Sequence, residues 1–326
     1  MAIVNTARKA LKLGEVDQAV RFNEPIGPDH EFFVDFSKVR GDFEERVVYR
    51  RLNVSVEGTN YRFDSASSSN QKQLFFLGGM RGSGKTSELA KYVKNMHRPE
   101  CFFCVTCNID EELDLNDIEY TDILIFQLQK LIFALKSEDV KINEGVLAQM
   151  QKWFSAREQE ISTAVKAETG MEVGVGAEKG GVLQNLLGLF ANFKAGLSGS
   201  KEWVNSIRST FKSKFPEFAG IFNTFIDEVN FTLKAEKVAQ EVLFVIDGLE
   251  KTNTAESRRK IIIDESNRLH LVKAYTIFTL PIELMRERQR LMQFSYVESF
   301  PFVKITNQDG TENAAAFAKF LEFVYK

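Results

Sequence analysis

The stretch Gly79-Met80-Arg81-Gly82-Ser83-Gly84-Lys85-Thr86 decides the fold of this chain, because it fits the pattern G-x-x-x-x-G-K-[ST] at every position. Residues 73–77 before it (QLFFL) have the apolar run of a short buried strand, and residues 87–95 after it have a helical pattern. A strand, a glycine loop and a helix in this order are typical of a phosphate-binding loop. Backbone N–H groups of such a loop converge on an anion at the helix N-terminus.

The residue types within this glycine loop (Gly79–Thr86) predict how a nucleotide would be held. Lys85 is expected to face solvent until it reaches the β- and γ-phosphates, and the Thr86 hydroxyl is expected to ligate Mg²⁺. The other candidate nucleotide-binding residues of the loop and of the helix start are Gly79, Arg81, Gly82, Ser83, Gly84 and Ser87.

Composition bounds the class of protein. The chain has 326 residues, 44% hydrophobic and 27% charged, which suits about two domains or one large α/β core with an insertion. The 42 basic and 45 acidic residues give a net charge of −3, so no overall nucleic-acid footprint is indicated, although a local basic patch is not excluded. No secretory signal and no apolar run of about 18 residues is present. We expect a cytoplasmic protein without a membrane span.

All three cysteines lie in Cys101-Phe102-Phe103-Cys104-Val105-Thr106-Cys107. Their two C-x-x-C spacings are compatible with zinc binding or redox chemistry. No histidine or fourth cysteine stands nearby, however, and the continuous apolar run is typical of a sheet strand. The pattern therefore favours buried, reduced thiols.

Apolar runs alternate with helical patterns along the chain, and this alternation predicts an α/β fold. The five runs read as strands are residues 73–77, the Cys101 run, Val242–Asp247, Tyr275–Thr279 and Phe302–Ile305. Strands that alternate with helices form a parallel sheet wrapped by helices on both faces. The sequence thus predicts a five-stranded parallel core.

The domain organisation follows from where the helical patterns interrupt this core. Residues 1–72 read as an N-terminal segment leading into the core, and residues 311–326 as a C-terminal helix. Residues 73–140 and 241–310 form the two halves of the core. Between them, residues 141–240 form a mainly helical insertion.

Part of this insertion looks unlike a helix. Residues 171–177 and 191–197 alternate with period two around the apolar, glycine-containing segment 181–190, which predicts a β-hairpin or an irregular apolar loop. Two interpretations stay open: a contact surface for another molecule, or a small hairpin packed on the core.

The acidic residues after the second strand are a separate feature. Residues 109–119 hold six carboxylates just before a strongly apolar helix. A solvated loop with acids near a helix N-terminus is favoured over a metal site.

Asp247 ends the buried strand Val242–Asp247, where a carboxylate can hold Mg²⁺ through water. Glu250, just beyond, is the candidate base that polarises the attacking water. Thr279, at the end of the next strand, is a candidate to orient that water. The alternatives are a turn acid for Asp247, a solvated loop acid for Glu250 and a β-branched core residue for Thr279.

Three arginines, Arg286, Arg288 and Arg290, follow on a predicted helix, Ile282–Met292. Cations at this position could act in trans on the γ-phosphate of a neighbouring subunit. A solvated basic face of the helix is the favoured alternative.

Taken together, Gly79–Thr86, Val242–Glu250 and Tyr275–Pro281 resemble the ATPase core of the AAA+ and STAND classes of P-loop NTPases. Asp247-Gly248-Leu249-Glu250 is similar to the NACHT-type second motif of an acid, a small residue, a hydrophobic residue and an acid. The resemblance implies ATP and Mg²⁺ as cofactors, a homo-oligomer, and Arg40 in a segment that lies over the adenine. The chain departs from AAA+ proteins in lacking the adjacent Asp-Glu pair and a clear sensor-2 arginine.

The insertion is similar to that of bacterial STAND-like ATPases of anti-phage and other conflict systems. This resemblance implies an ATP-controlled oligomerisation switch that serves a protein effector. One alternative is a DNA-acting AAA+ ATPase of the initiator or transposition-helper type, which DNA-stimulated turnover would favour. Another is a small-molecule kinase with the insertion as its lid, which phosphoryl transfer to a metabolite would favour.

Overall fold

The computed structural model describes residues 25–64, 73–169, 180–252 and 254–325. A small antiparallel hairpin of β1 (Val54–Glu57) and β2 (Asn60–Phe63) precedes the main sheet. The five strands of that sheet are β3 (Leu74–Gly79), β4 (Phe102–Asn108), β5 (Glu241–Asp247), β6 (Tyr275–Pro281) and β7 (Ser295–Ser299).

All neighbours in the main sheet run parallel, in the order β4-β5-β6-β3-β7. The predicted five-stranded parallel α/β core is therefore confirmed. Since parallel strands end at the same edge of a sheet, the residues after Gly79, Asp247 and Pro281 meet there. Strand β6 lies between the strand that enters the glycine loop and the strand that ends in Asp247.

The fifth strand is not the predicted one. It is Ser295–Ser299, whereas Phe302 and Ile305 lie outside any strand and are 53% and 50% exposed. Among the described residues, strand β7 pairs only with β3 and lies at the edge of the sheet. An edge strand needs few apolar residues. Strand β7 is largely polar, so the pattern of apolar runs did not reveal it. The predicted helix Ile282–Met292 is likewise a 3₁₀ turn, Ile282–Glu287, followed by a short helix, Arg288–Leu291.

Seven longer helices surround the sheet. They are α1 (Lys85–Met96), α2 (Tyr120–Ser137), α3 (Glu144–Thr169), α4 (Val182–Leu197), α5 (Lys201–Ser213), α6 (Phe215–Ala235) and α7 (Ala314–Tyr325). Short helical turns lie at Lys38–Arg40, Glu44–Tyr49, Ile109–Glu112, Leu249–Lys251, Ala255–Arg259, Lys260–Asp264 and Ser266–Leu269.

The side chains of β3 alternate between two apolar clusters, one on each face of the sheet. Phe75 and Leu77 pack with α1 and the N-terminal segment, while Phe76 packs with α2 and the insertion. Burial on both faces explains why the strand is an unbroken apolar run. The three cysteines are buried, free thiols, as predicted.

The hairpin predicted within the insertion is wrong where the structure describes it. Residues 182–197 form helix α4, and Leu186, Phe190 and Phe193 are buried in the larger cluster. A Cβ atom on Gly196 would lie 2.7 Å from the Ile207 side chain, so this glycine lets α4 approach α5 closely. Residues 171–177 lie outside the described residues. Helix α4 is thus core, and the contact-surface interpretation fails for it.

The predicted C-terminal helix is confirmed as α7. Its Phe320 ring lies 5.3 Å from the ring of Phe36, centroid to centroid. Phe36 is four residues before Arg40, so α7 packs beside the N-terminal segment that carries this candidate residue.

Within the described ranges, no helix combines the length and apolar character that crossing a lipid bilayer requires.

Candidate functional site

The glycine loop leads from β3 directly into α1. Gly84 is the N-cap residue of this 12-residue helix, with φ 87°, and no side chain caps the helix start. The first N–H groups of a helix have no partner within it, and the helix dipole makes this end positive. The start of α1 therefore has the free N–H groups and the positive dipole end that would suit an anion.

Lys85 is buried rather than solvent-facing, which corrects the expectation from sequence. The residue is 4% exposed. Its Nζ atom donates hydrogen bonds to the carbonyl oxygens of Gly79 (3.1 Å) and Met80 (3.0 Å). It also lies 3.8 Å from Oε1 of Glu250. The glycine loop thus folds back over its own lysine.

Thr86 and Asp247 are in direct contact. Thr86 Oγ1 donates to Asp247 Oδ2 over 2.6 Å. Asp247 is 5% exposed, and its other oxygen, Oδ1, is buried without a hydrogen-bond partner among the described residues. An unpartnered buried carboxylate oxygen is energetically costly, which fits a carboxylate built to face a cation or its bound water.

These two groups suit Mg²⁺. Magnesium prefers oxygen ligands and is usually bound through one or two carboxylates together with substrate phosphates and water. The described part of the chain contains no group of three His, Cys, Asp or Glu residues placed to hold a metal ion. A site of Thr86 and Asp247 alone would therefore depend on phosphate oxygens for its remaining ligands.

Glu250 and Thr279 form the second pair of the site. Thr279 Oγ1 donates to Glu250 Oε2 over 2.9 Å, and the Glu250 side chain is only 8% exposed. The alternative of a solvated loop acid is thus wrong for Glu250. Thr279 is fully buried, as expected for a β-branched core residue. Its hydroxyl nevertheless makes the hydrogen bond to Glu250, the candidate base.

Arg40 lies across the glycine loop. Its guanidinium donates to the Ser83 carbonyl (2.9 Å) and to Glu88 Oε1 (3.2 Å), and it stacks 4.4 Å from the Phe300 ring centroid. Burial lowers the pKa of Arg40 and raises the pKa of the Glu88 carboxyl, because it disfavours the charged form of each group. The attraction between the two charges acts against both shifts. Sequence reasoning missed Glu88 and Phe300.

A signal for Glu88 was present, because it lies one turn after Lys85 on the inner face of α1. Phe300 follows β7, the strand that the apolar pattern did not reveal.

Three further polar atoms around the glycine loop are buried without a partner among the described residues. They are Arg40 Nε, Ser83 Oγ and Glu88 Oε2. Buried polar groups are normally paired, so these three atoms, like Asp247 Oδ1, are exceptions among the described residues.

The remaining candidates are less enclosed. Arg81 and Gly82 are exposed on the outer side of the loop, and Ser87 is half-buried on α1. Gly79 ends β3, and Phe300 packs against it.

No contact among the described residues joins Arg286, Arg288 or Arg290 to the glycine loop. All three are exposed. Arg290 pairs with Glu287 (3.1 Å) and Asp264 (3.5 Å), and no ion pair joins Arg286 or Arg288 to another described residue. Only Arg286 and Arg288 therefore remain available to another molecule.

The acidic stretch 109–119 has both paired and exposed members. Asp110 pairs with Lys251, and Glu112 pairs with Lys130 and Lys194. Glu119 caps the start of α2 and pairs with Lys212 and Lys260, whereas Glu111 and Asp114 are exposed. The expectation of acids near a helix N-terminus is confirmed, but the paired acids are not simply solvated, and the pairs of Glu112 and Glu119 join the core to helices α4 and α5 of the insertion.

Comparisons of this chain with protein-family models, with curated proteins and with solved structures found no match. The functional argument therefore depends on the geometry of the site.

Proposed function

We propose that this protein binds ATP with Mg²⁺ at the glycine loop and hydrolyses it. The observation that supports this best is the contact between Thr86 and Asp247, which leaves Asp247 Oδ1 buried without a hydrogen-bond partner among the described residues. Two oxygen groups from distant parts of the chain would then hold Mg²⁺ beside the uncapped start of α1.

The phosphates would be held by the loop and by Lys85. The Lys85 ammonium would leave the carbonyl oxygens of Gly79 and Met80 and donate to phosphate oxygens instead. The new hydrogen bonds would be stronger because the acceptor is charged. Arg40, stacked on Phe300 over the loop, would border the nucleoside side of the ligand.

Hydrolysis would need a base close to the phosphates, and Glu250 is our candidate because it lies beside Lys85. Its Oε1 atom faces Lys85, and its Oε2 atom accepts the Thr279 hydrogen bond. Glu250 would accept a proton from the attacking water, and Thr279 would fix the carboxylate orientation. Mg²⁺, when bound, would neutralise charge on the transferred phosphate.

The biological role that we propose is an ATP-controlled oligomerisation switch for a protein effector, as in anti-phage systems. It is supported by the exposed Arg286 and Arg288, for which no ion pair to another described residue is found. An arginine acting in trans would make turnover depend on assembly.

No observation favours the DNA-acting or kinase alternatives. The basic cluster Arg258–Lys260 is paired within the chain: Arg258 with Glu283, Arg259 with Asp264 and Glu287, and Lys260 with Glu119. These pairs leave little unopposed positive charge for phosphate backbones.

The test is the melting shift caused by ATP·Mg²⁺, followed by phosphate release. Wild type is expected to gain about 2.7 kcal/mol of stability at a hundredfold excess of ATP over its Kd. Lys85→Ala is expected to lose this gain. Lys94→Ala, on the same helix but paired with Asp29 at the surface, is the matched control. Equal shifts in wild type and Lys85→Ala would refute nucleotide binding at this site.

A further inference from the structure

Asp110, in the short helix Ile109–Glu112 directly after β4, contacts both ends of the turn that carries Glu250. At one end, the Asp110 carboxylate fills the space beside Gly248. A Cβ atom on Gly248 would lie 2.6 Å from Asp110 Oδ1, and Gly248 has a φ of 98°, a region that other residues rarely adopt. At the other end, Asp110 Oδ2 accepts a charge-assisted hydrogen bond from Lys251 Nζ.

The turn between these two contacts is short and internally bonded. Lys251 N donates to the Gly248 carbonyl over 3.0 Å, and Leu249 is fully buried beneath the turn. From this turn, the Glu250 side chain extends to Thr279 and Lys85.

We infer that Asp110 is a positioning residue for Glu250 in the proposed hydrolysis, so this inference depends on the proposed function. Asp110 does not contact Glu250 itself. It acts through Gly248 and Lys251, and it links the end of β4 to the turn after β5. A base displaced by about 1 Å can lose much of its catalytic effect. The contacts that fix both ends of the turn are therefore expected to affect the rate of hydrolysis.

The test compares Asp110→Asn, which keeps the shape but removes the charge, with Lys251→Met, which keeps the side-chain stem. Each is expected to lower kcat about tenfold while the Kd for ATP changes less than about twofold. The double variant is expected to lose no more than either single variant, because both remove the same contact. Glu111→Gln is the control, since Glu111 is exposed and has no ion pair among the described residues.

A second comparison separates positioning from general destabilisation. In the Glu250→Gln background, Asp110→Asn is expected to cause no further loss of turnover, because there is no base left to position. A further loss there would overturn the inference.

If the wild type hydrolyses ATP and both Asp110→Asn and Lys251→Met have the same kcat as the wild type, the inference is overturned. The proposed function would still stand. Absence of turnover in wild type itself would refute the proposed hydrolysis, and this inference with it.

Discussion

The hydroxyl of Thr86 donates a 2.6 Å hydrogen bond to Oδ2 of Asp247, and this bond joins the start of α1 to the end of β5. The two strands that bring these residues together are separated in the sheet by β6. The bond therefore spans the intervening strand at the carboxyl ends of the strands, beside the start of α1 and the Glu250–Thr279 pair.

Thr86→Val is expected to weaken ATP binding at least about tenfold when Mg²⁺ is present, because a metal ligand is lost. In excess chelator, where no metal is bound, its affinity is expected to equal that of wild type. Thr86→Ser, which keeps the hydroxyl, is the control and is expected to retain Mg²⁺-dependent affinity. Titration calorimetry with and without Mg²⁺ checks this, and an equal loss under both conditions would contradict a metal role.

Glu250→Gln is expected to lower kcat by about 10²–10⁴ while ATP and Mg²⁺ still bind, because the amide cannot accept the proton. Thr279→Val is expected to cause a smaller loss, since it removes only the hydrogen bond that orients Glu250. Single-turnover phosphate release measures both. Glu256→Gln, an exposed carboxylate on the following turn, is the control. Wild-type turnover in Glu250→Gln would place the base elsewhere.

Arg286→Ala and Arg288→Ala are expected to reduce ATPase activity only at concentrations where subunits assemble. Arg290→Ala is the control, because Arg290 is already paired with Glu287 and Asp264. Mixing Lys85→Ala with Arg288→Ala subunits is expected to restore some activity, at interfaces that pair an intact site with an intact arginine. Normal activity in all three arginine variants would assign these residues to a solvated basic face.

Glu119 is expected to make part of the stability depend on pH. Burial alone would raise the pKa of its carboxyl, but hydrogen bonds from Lys212 and Lys260 outweigh this and leave the pKa below its ordinary value. The stabilisation is therefore present above the unfolded pKa of about 4.3 and is lost as pH falls through the lower folded pKa.

The variant Glu119→Gln keeps an oxygen to cap α2 and removes the charge. We expect it to be less stable than wild type at pH 7 by about 1 kcal/mol or less, and equally stable below the folded pKa. Urea unfolding at a series of pH values measures the difference. A stability difference that stays constant to the lowest pH would contradict the assignment.

The sequence revealed the parts of the site that depend on local pattern. The glycine loop is contiguous in sequence. Asp247 ends a strand that is buried on both faces, and such a strand is easily recognised as a run of apolar residues. The contacts of Arg40 with Phe300, and of Glu250 with Thr279, join residues far apart in the chain. Arg40, Glu250 and Thr279 were candidates from the sequence, but only the strand order brings them to these partners.

Two of the errors in secondary structure, the fifth strand and the hairpin, have different physical causes. Strand β7 lies at the edge of the sheet in the described part of the chain, where a strand does not need the apolar run that marks a central strand. Helix α4 has glycines and an apparent period of two, yet burial of Phe190 and Phe193 against the insertion selects the helix. Tertiary packing overrides local propensity there.

Strands β4 and β5 pair in register up to Asn108 and Asp247, although all of helices α2 to α6 lies between them in the chain. Closing so long a stretch is entropically demanding, and non-local pairing of this kind slows folding. Asp247 would reach Thr86 only after the insertion has compacted. A ligand held by both residues is therefore expected to slow unfolding more than it speeds refolding, because the pairing that forms its site closes late.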